Sequence, residues 1–157
     1  MDELLGKRQG LLLRRLGGND ARLAMGVLAV ARRIDDSYNE LLAEHDLSGG
    51  RFAALLAISE TRGITPARLS EELEVKRATV TGLVDGLVKR GLVVRGGDEA
   101  DRRVQTLTAT SDGERRVQVV LPLVEQWLGG LISGVDRETA WPLLSRIHRN
   151  LGSNGDS

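Results

Sequence analysis

Arginine and threonine side chains are spaced closely at Arg77, Thr79 and Thr81, within a segment whose apolar residues recur with helical periodicity. A guanidinium group binds phosphate or the edge of guanine, and a hydroxyl group can donate to or accept from a base edge. A second basic pair, Arg102 and Arg103, follows in a polar stretch. These residue types favour contact with a nucleic acid over bond-making chemistry.

Two helices and a tight turn are expected to position the first cluster. Thr65-Pro66 predicts a helix start, because the hydroxyl can accept from a free N–H and proline needs no N–H at the first helical position. This short helix extends through Leu73, and the turn falls at Val75-Lys76. The next helix covers about 77–90 and ends at Gly91, since glycine readily adopts the left-handed cap.

The second of these helices has one apolar face. Its apolar residues follow the i, i+3, i+4, i+7, i+8 spacing, and they are Val80, Leu83, Val84, Leu87 and Val88. If that face packs on the core, Arg77, Thr79 and Thr81 lie on the outer surface, as do Gly82 and Asp85. A helix placed in this way can enter the major groove of DNA and present polar side chains to base edges.

A change of periodicity follows the second helix. Residues 92–95 and 104–108 are rich in β-branched and apolar residues, and the polar, glycine-containing loop 96–103 separates them. Two strands and a charged loop directly after a helix-turn-helix predict a wing. Arg102 and Arg103 lie at its tip, where arginine suits the negative potential of a narrow minor groove.

Further helices are expected on both sides of this region. They cover residues 2–16, a stretch from a cap at Asn19 or Asp20 to about Glu44, and a third beginning at Ser48. After the wing, Ser111 and Glu114 have capping-box spacing and open a long helix that Pro122 is expected to kink. Asp136 caps the last helix. The fold class is therefore mainly α with a small β wing, a winged helix-turn-helix.

The amino-acid composition limits which other kinds of function are possible. The chain contains no cysteine, which excludes disulfides and thiolate metal sites, and no apolar run approaches the length of a membrane span. We therefore expect a cytoplasmic protein with no membrane partner. The 22 basic residues balance the 22 acidic ones, and this neutrality argues mildly against a nucleic-acid partner.

For several side chains a structural role is a better interpretation than a functional one. His45 with Glu40 or Glu44 could suggest a metal site, but a surface histidine near a helix end is the stronger interpretation, and we expect no metal. Trp127 and Trp141 are more typical of a core or subunit interface than of a ligand pocket. No set of side chains has the spacing of a catalytic site, so we expect neither an enzyme nor a cofactor.

The stretch from Leu47 to Val117 resembles the MarR family of transcriptional regulators. The resemblance rests on three segments in order, ITPARLSEELEVKRATVTGLVDGLVKRGLVVR (64–95), DEADRR (98–103) and ATSDG (109–113). It implies a homodimer in which residues 1–46 and 111–157 form the helical dimerisation region, while 47–110 form the DNA-binding region.

The resemblance further implies a regulator, expected to be a ligand-responsive repressor, that binds a pseudo-palindromic operator in double-stranded DNA. Arg103 would insert into the minor groove with Asp101 positioning it. A small phenolic or anionic effector would lower the affinity for DNA. The expected DNA-binding residues are Lys76, Arg77, Thr79, Thr81, Asp101, Arg102 and Arg103.

The sequence departs from the family pattern at three positions. Gly82 and Gly86 stand where the family often has a basic or polar side chain, and Lys76 replaces a usual capping serine. The glycines indicate either a close approach of the helix backbone to DNA or weaker binding with fewer contacts. The alternative function is a winged-helix protein that acts mainly as a protein-interaction or small-molecule-binding module, with weak DNA affinity.

Overall fold

Helices make up most of the chain, in the order that the sequence predicts. The structure, a computed structural model, describes residues 7–16, 18–97 and 105–153. Its elements are α1 (Lys7–Leu16), α2 (Asn19–Ala43), α3 (Gly49–Glu60), α4 (Pro66–Glu72), α5 (Arg77–Lys89), β1 (Val93–Gly97), β2 (Gln105–Ala109), α6 (Ser111–Leu131) and α7 (Arg137–Ser153). The mainly α fold with a small β wing is confirmed. None of the helices described here is both long and apolar enough to span a membrane.

Side-chain caps begin three helices where the sequence predicts them. The Ser48 hydroxyl accepts from the backbone N–H of Arg51 at 3.5 Å and begins α3. The Thr65 hydroxyl accepts from the N–H of Arg68 at 3.2 Å, with proline in the first turn of α4. The Asp136 carboxylate accepts from the N–H of Glu138 at 3.1 Å and from the Thr139 hydroxyl at 2.5 Å. Because these bonds favour the charged form, the pKa of Asp136 is lowered.

The predicted cap of α2 is wrong. Neither Asn19 nor Asp20 is the N-cap; Gly18 occupies that position, and no side chain caps the helix. Gly18 has φ 85°, a left-handed conformation that glycine adopts without a steric penalty. The turn out of α1 therefore depends on this glycine, and the two polar residues lie within the first turn of the helix.

The predicted capping box of α6 is also wrong, by one residue. Thr110 supplies the cap: its hydroxyl accepts from the N–H of Gly113 at 3.1 Å and donates to the carbonyl of Gly91 at 2.6 Å. Glu114 does not turn back to Ser111 but accepts from the hydroxyl of Ser59 on α3, at 2.5 Å. Tertiary partners thus replace the local pairing that the spacing predicts.

The core of the first compact unit lies among α3, α4, α5 and the hairpin. The chain divides into two such units between Pro122 and Leu123. The side chains that are fully buried in the first unit include Leu42, Leu55, Ile58, Leu69, Val80, Val84, Leu87, Val93, Leu107 and Val120. In the second unit, from Leu123 onward, many apolar side chains are exposed instead, including Trp141 at 73% and Leu151 at 71%.

The sheet that forms the wing is antiparallel and two-stranded. Val93 pairs with Ala109, and the register continues to the pair Gly97 and Gln105. A bridge joins Ile64, before α4, to Leu107: the N–H of Leu107 donates to the carbonyl of Ile64 at 2.9 Å. The wing is therefore attached to the start of the helix-turn-helix by backbone hydrogen bonds as well as by the chain itself.

Replacing Thr110 with alanine tests the cap of α6. Thr110→Ala removes both hydroxyl bonds and should lower the free energy of unfolding by about 1–2 kcal/mol, measured by urea denaturation. Ser111→Ala is the matched control and should cost less than about 0.5 kcal/mol. Equal losses for the two variants would contradict the assignment of Thr110 as the cap.

Candidate nucleic-acid interface

The turn between α4 and α5 is fixed by its own backbone and by one serine. Glu74 has φ 52°, the left-handed conformation that lets the chain reverse after α4. The N–H of Val75 donates to the carbonyl of Ser70 at 3.1 Å, and the Ser70 hydroxyl donates to the carbonyl of Val75 at 2.6 Å. This reciprocal pair sets the direction in which α5 leaves the turn. Sequence reasoning missed the role of Ser70, because serine inside a helix is not distinctive.

The buried residues of α5 fix its rotation about its own axis. Val80, Val84 and Leu87 are 1%, 2% and 0% exposed. The exposed residues here are Lys76 and Arg77 at the start of the helix, Thr79 and Thr81 on its sides, and Ala78, Gly82 and Asp85 opposite the buried face. The exposed surface of α5 therefore agrees with the surface predicted from the apolar spacing. The exception is Val88, which the spacing predicts to be buried and which is 37% exposed. Val88 is in the last turn of α5, next to the C-terminal residue Lys89.

Three acidic side chains near this surface are held in ion pairs within the chain, whereas the exposed Glu74 of the turn forms none among the described residues. Asp85 accepts from the Arg95 guanidinium of β1 at 2.5 Å. On α4, Arg68 pairs with Glu71 at 3.3 Å and with Glu72 at 3.2 Å. Exposed pairs of this kind stabilise the fold by little, about 0–1 kcal/mol each. Their consequence is that the charge of Asp85 is neutralised in the middle of α5. On α4 one arginine is shared by two glutamates, so a net negative charge remains there.

The basic side chains at the two ends of α5 have no such partners. Within the described residues, Lys76, Arg77 and Lys89 form no ion pair, and all three are exposed. A chain with zero net charge therefore still presents exposed, unpaired cations at both ends of this helix. The neutral composition, which argued mildly against a polyanionic partner, does not describe this surface.

The two glycines of α5 differ in their surroundings. A Cβ added at Gly86 would lie 2.6 Å from Nε of Arg51, whose guanidinium crosses from α3, so a side chain at this position requires Arg51 to shift. That Nε atom is buried and has no hydrogen-bond partner among the described residues. A Cβ at Gly82 would meet no atom of the described residues within 4 Å. Packing between α3 and α5 thus accounts for Gly86 but not for Gly82.

Thr81, directly before Gly82, uses its hydroxyl within the helix. The Thr81 hydroxyl donates to the carbonyl of Arg77 at 3.1 Å. A hydroxyl engaged in this way is less available to a partner outside the protein. The γ-methyl group of Thr81 is then the main group that this exposed residue offers at the surface.

The predicted wing contacts lie beyond the described part of the chain. Arg102, Arg103 and Asp101 belong to residues 98–104, which the structure does not describe. The described strands end at Gly97 and start again at Gln105, so this segment joins the two paired ends of the hairpin. Across the described residues, no group of three His, Asp or Glu side chains could hold a metal ion.

Comparisons with known proteins agree with this architecture. A family model described as MarR family matches residues 45–104. The HTH-type transcriptional repressor YetL of Bacillus subtilis is 28% identical over 102 residues, which are 64% of this chain but only 61% of that relative. An uncharacterized HTH-type transcriptional regulator of the same species, YsmB, is 30% identical over 112 residues, 71% of this chain and 77% of the relative.

A solved structure extends the similarity to the fold. The chain resembles the S. aureus MepR protein, solved as a MepR–DNA complex, with a TM-score of 0.69. The alignment covers 79% of this chain and 92% of that one, at 18% sequence identity. At this identity the likeness concerns the fold alone.

Alanine at the two glycines should affect stability differently. Gly82→Ala should raise the free energy of unfolding by about 1 kcal/mol, because alanine is the better helix former and its Cβ enters open space. Gly86→Ala should give no such gain, since Arg51 must move. Urea denaturation of both variants measures the difference.

The pair Gly86→Ala and Arg51→Ala provides the control. With Arg51 truncated, Gly86→Ala should recover the stabilisation of about 1 kcal/mol expected for a helical position. An equal gain from Gly86→Ala in the unmodified chain would contradict the packing described for Arg51.

Proposed function

Because the chain belongs to the MarR family of winged-helix, DNA-binding transcriptional regulators, which are not enzymes, we propose that it binds a pseudo-palindromic operator as a homodimer. Each subunit would insert α5 into the major groove of one half-site and its wing loop into the adjacent minor groove. The observation that carries this proposal is the outer face of α5. It is exposed, the cations at both ends of the helix form no ion pair among the described residues, and the one acidic side chain of α5 is already held by Arg95.

Each predicted contact residue has a role in this proposal. Lys76 and Arg77 begin α5 and would bind phosphates beside the groove, since a helix N-terminus and a cation both attract anions. Thr79 and Thr81 would lie against base edges. Arg102 and Arg103 would approach the minor groove, and Asp101 would orient Arg103.

The homodimer would form through the helices outside the winged region. In the second unit, apolar side chains of the end of α6, of the segment after it and of α7 are exposed, among them Leu128, Leu131, Ile132, Trp141, Leu144 and Leu151. In α2, Leu23 and Leu28 are 53% and 54% exposed. Apolar exposure on this scale is typical of a surface that a second copy covers.

We also propose control by a small molecule, as the resemblance to the family implies. A phenolic or anionic effector would bind the DNA-free dimer more tightly than the DNA-bound dimer. The ratio of these two affinities is the factor by which the effector would lower the affinity of the dimer for DNA. YetL is named a repressor, and we propose that this chain also represses transcription.

Selection of duplexes from a random library tests DNA binding directly. We expect a two-fold-symmetric consensus with half-sites about one helical turn apart, and an affinity that falls steeply with salt concentration because counterions are released. Arg103→Ala should weaken binding to the selected duplex by about tenfold. Arg146→Ala, at an exposed position of α7, is the matched control.

Two results would count against the proposal. If no duplex were enriched at low salt, while the protein remained a dimer, the chain would act as an interaction module instead. If Arg103→Ala bound the selected duplex as tightly as the unmodified protein, the role given to the wing would be wrong.

Replacing the exposed tryptophan tests the dimer. Trp141→Ala should raise the dimer dissociation constant by at least about thirtyfold, as expected for a buried aromatic anchor at an interface. Sedimentation equilibrium measures it, with Glu138→Ala, an exposed polar position on the same helix, as the control. A monomer at all concentrations in the unmodified protein, or no effect of Trp141→Ala, would contradict the proposed interface.

A further inference from the structure

The centre of the outer face of α5 is almost without side chains. Residues spaced i, i+4, i+7 and i+11 share one face of a helix, and here they are Ala78, Gly82, Asp85 and Lys89. This row lies opposite the buried Val80, Val84 and Leu87. The side chain of Ala78 is a single methyl group, and Gly82 has no side chain. A Cβ added at Gly82 would meet no atom of the described residues within 4 Å. The bare strip, as we call Ala78 and Gly82, therefore has no explanation in packing against the described residues.

The groups beside the bare strip are largely apolar or already engaged. Thr81 donates its hydroxyl to the carbonyl of Arg77 at 3.1 Å and offers its γ-methyl group. Asp85, which in principle could accept from the amino group of cytosine, is held by Arg95 at 2.5 Å. The middle of the helix thus offers methyl groups, while side chains able to form hydrogen bonds with bases lie toward its start.

In the major groove, the group that methyl-bearing side chains recognise is the 5-methyl group of thymine. Such a contact requires carbon atoms about 4 Å apart, so the helix backbone must approach the base edges closely. A longer side chain at position 82 would hold the helix away from the groove floor. The absence of a side chain at Gly82 allows the approach that Ala78 and Thr81 need.

We infer that α5 reads thymine 5-methyl groups in the major groove through Ala78 and Thr81, with Gly82 providing the clearance. The inference rests on the proposed function, since it names the base feature that determines specificity at the same site. It also selects between the two interpretations of Gly82 that the sequence leaves open, in favour of close approach.

Uracil substitution in the DNA is the direct test. In the duplex selected from the random library, each thymine of a half-site is replaced in turn by deoxyuridine, which pairs identically but lacks the 5-methyl group. One or two positions per half-site should lose affinity by about fourfold, the effect of one buried methyl group. Thymines outside the half-sites should tolerate the change.

Protein variants assign the contact. Thr81→Ser removes the γ-methyl group but keeps the hydroxyl that bonds Arg77, so it should abolish the uracil penalty at one thymine. Thr61→Ser, at an exposed position after α3, should retain every penalty. Gly82→Ala should bind the selected duplex about tenfold less tightly, as expected when a group is inserted into a packed contact, even though it is expected to stabilise the free protein.

The outcomes separate this inference from the proposed function. Failure to select any duplex would overturn both. A selected duplex that binds equally well with uracil at every half-site position would overturn the inference and leave the regulator intact. A uracil penalty that persists in Thr81→Ser at every position would overturn the role of Thr81, and undiminished affinity of Gly82→Ala would overturn the role of Gly82.

Discussion

Burial of one apolar face of α5 is the constraint on which the rest of the site depends. Val80, Val84 and Leu87 are almost completely inaccessible to solvent. Each buried side chain of this size stabilises the fold by about 1.5–3 kcal/mol, more than any exposed ion pair nearby. Rotation of α5 by even one residue would expose part of this face. The residues on the opposite side are therefore presented to solvent by packing, whatever their own interactions are.

The distribution of charged side chains around the exposed side of α5 favours the binding of a polyanion. Asp85 is paired with Arg95, and Glu71 and Glu72 share Arg68, so only the carboxylate on α5 itself is fully neutralised within the chain. The Asp85–Arg95 pair also joins α5 to the first strand of the wing, so the major-groove and minor-groove elements share a contact. Charge counts over a whole chain miss such an arrangement, because the distribution of free charges decides how a partner is attracted.

Local signals in the sequence predicted most of the fold. Ser48 and Thr65 begin helices where their hydroxyl groups suggested, and the spacing of Val80, Val84 and Leu87 identified the buried face of α5. At α2 a left-handed glycine displaced the expected polar cap, and at α6 a tertiary contact displaced the expected local one. Thr110 caps α6 because it also reaches the carbonyl of Gly91, and no pattern along the chain indicates that Arg51 occupies the space beside Gly86.

A cleavage probe attached to α5 would test the central claim most directly. The chain contains no cysteine, so Lys89→Cys introduces a single thiol, on the face that includes Gly82 and at the exposed end of the helix. An iron chelate on this thiol should cut the selected duplex in two clusters, one inside each half-site. Cleavage that is absent, or no more localised than from a chelate at exposed Val119 on α6, would contradict the account.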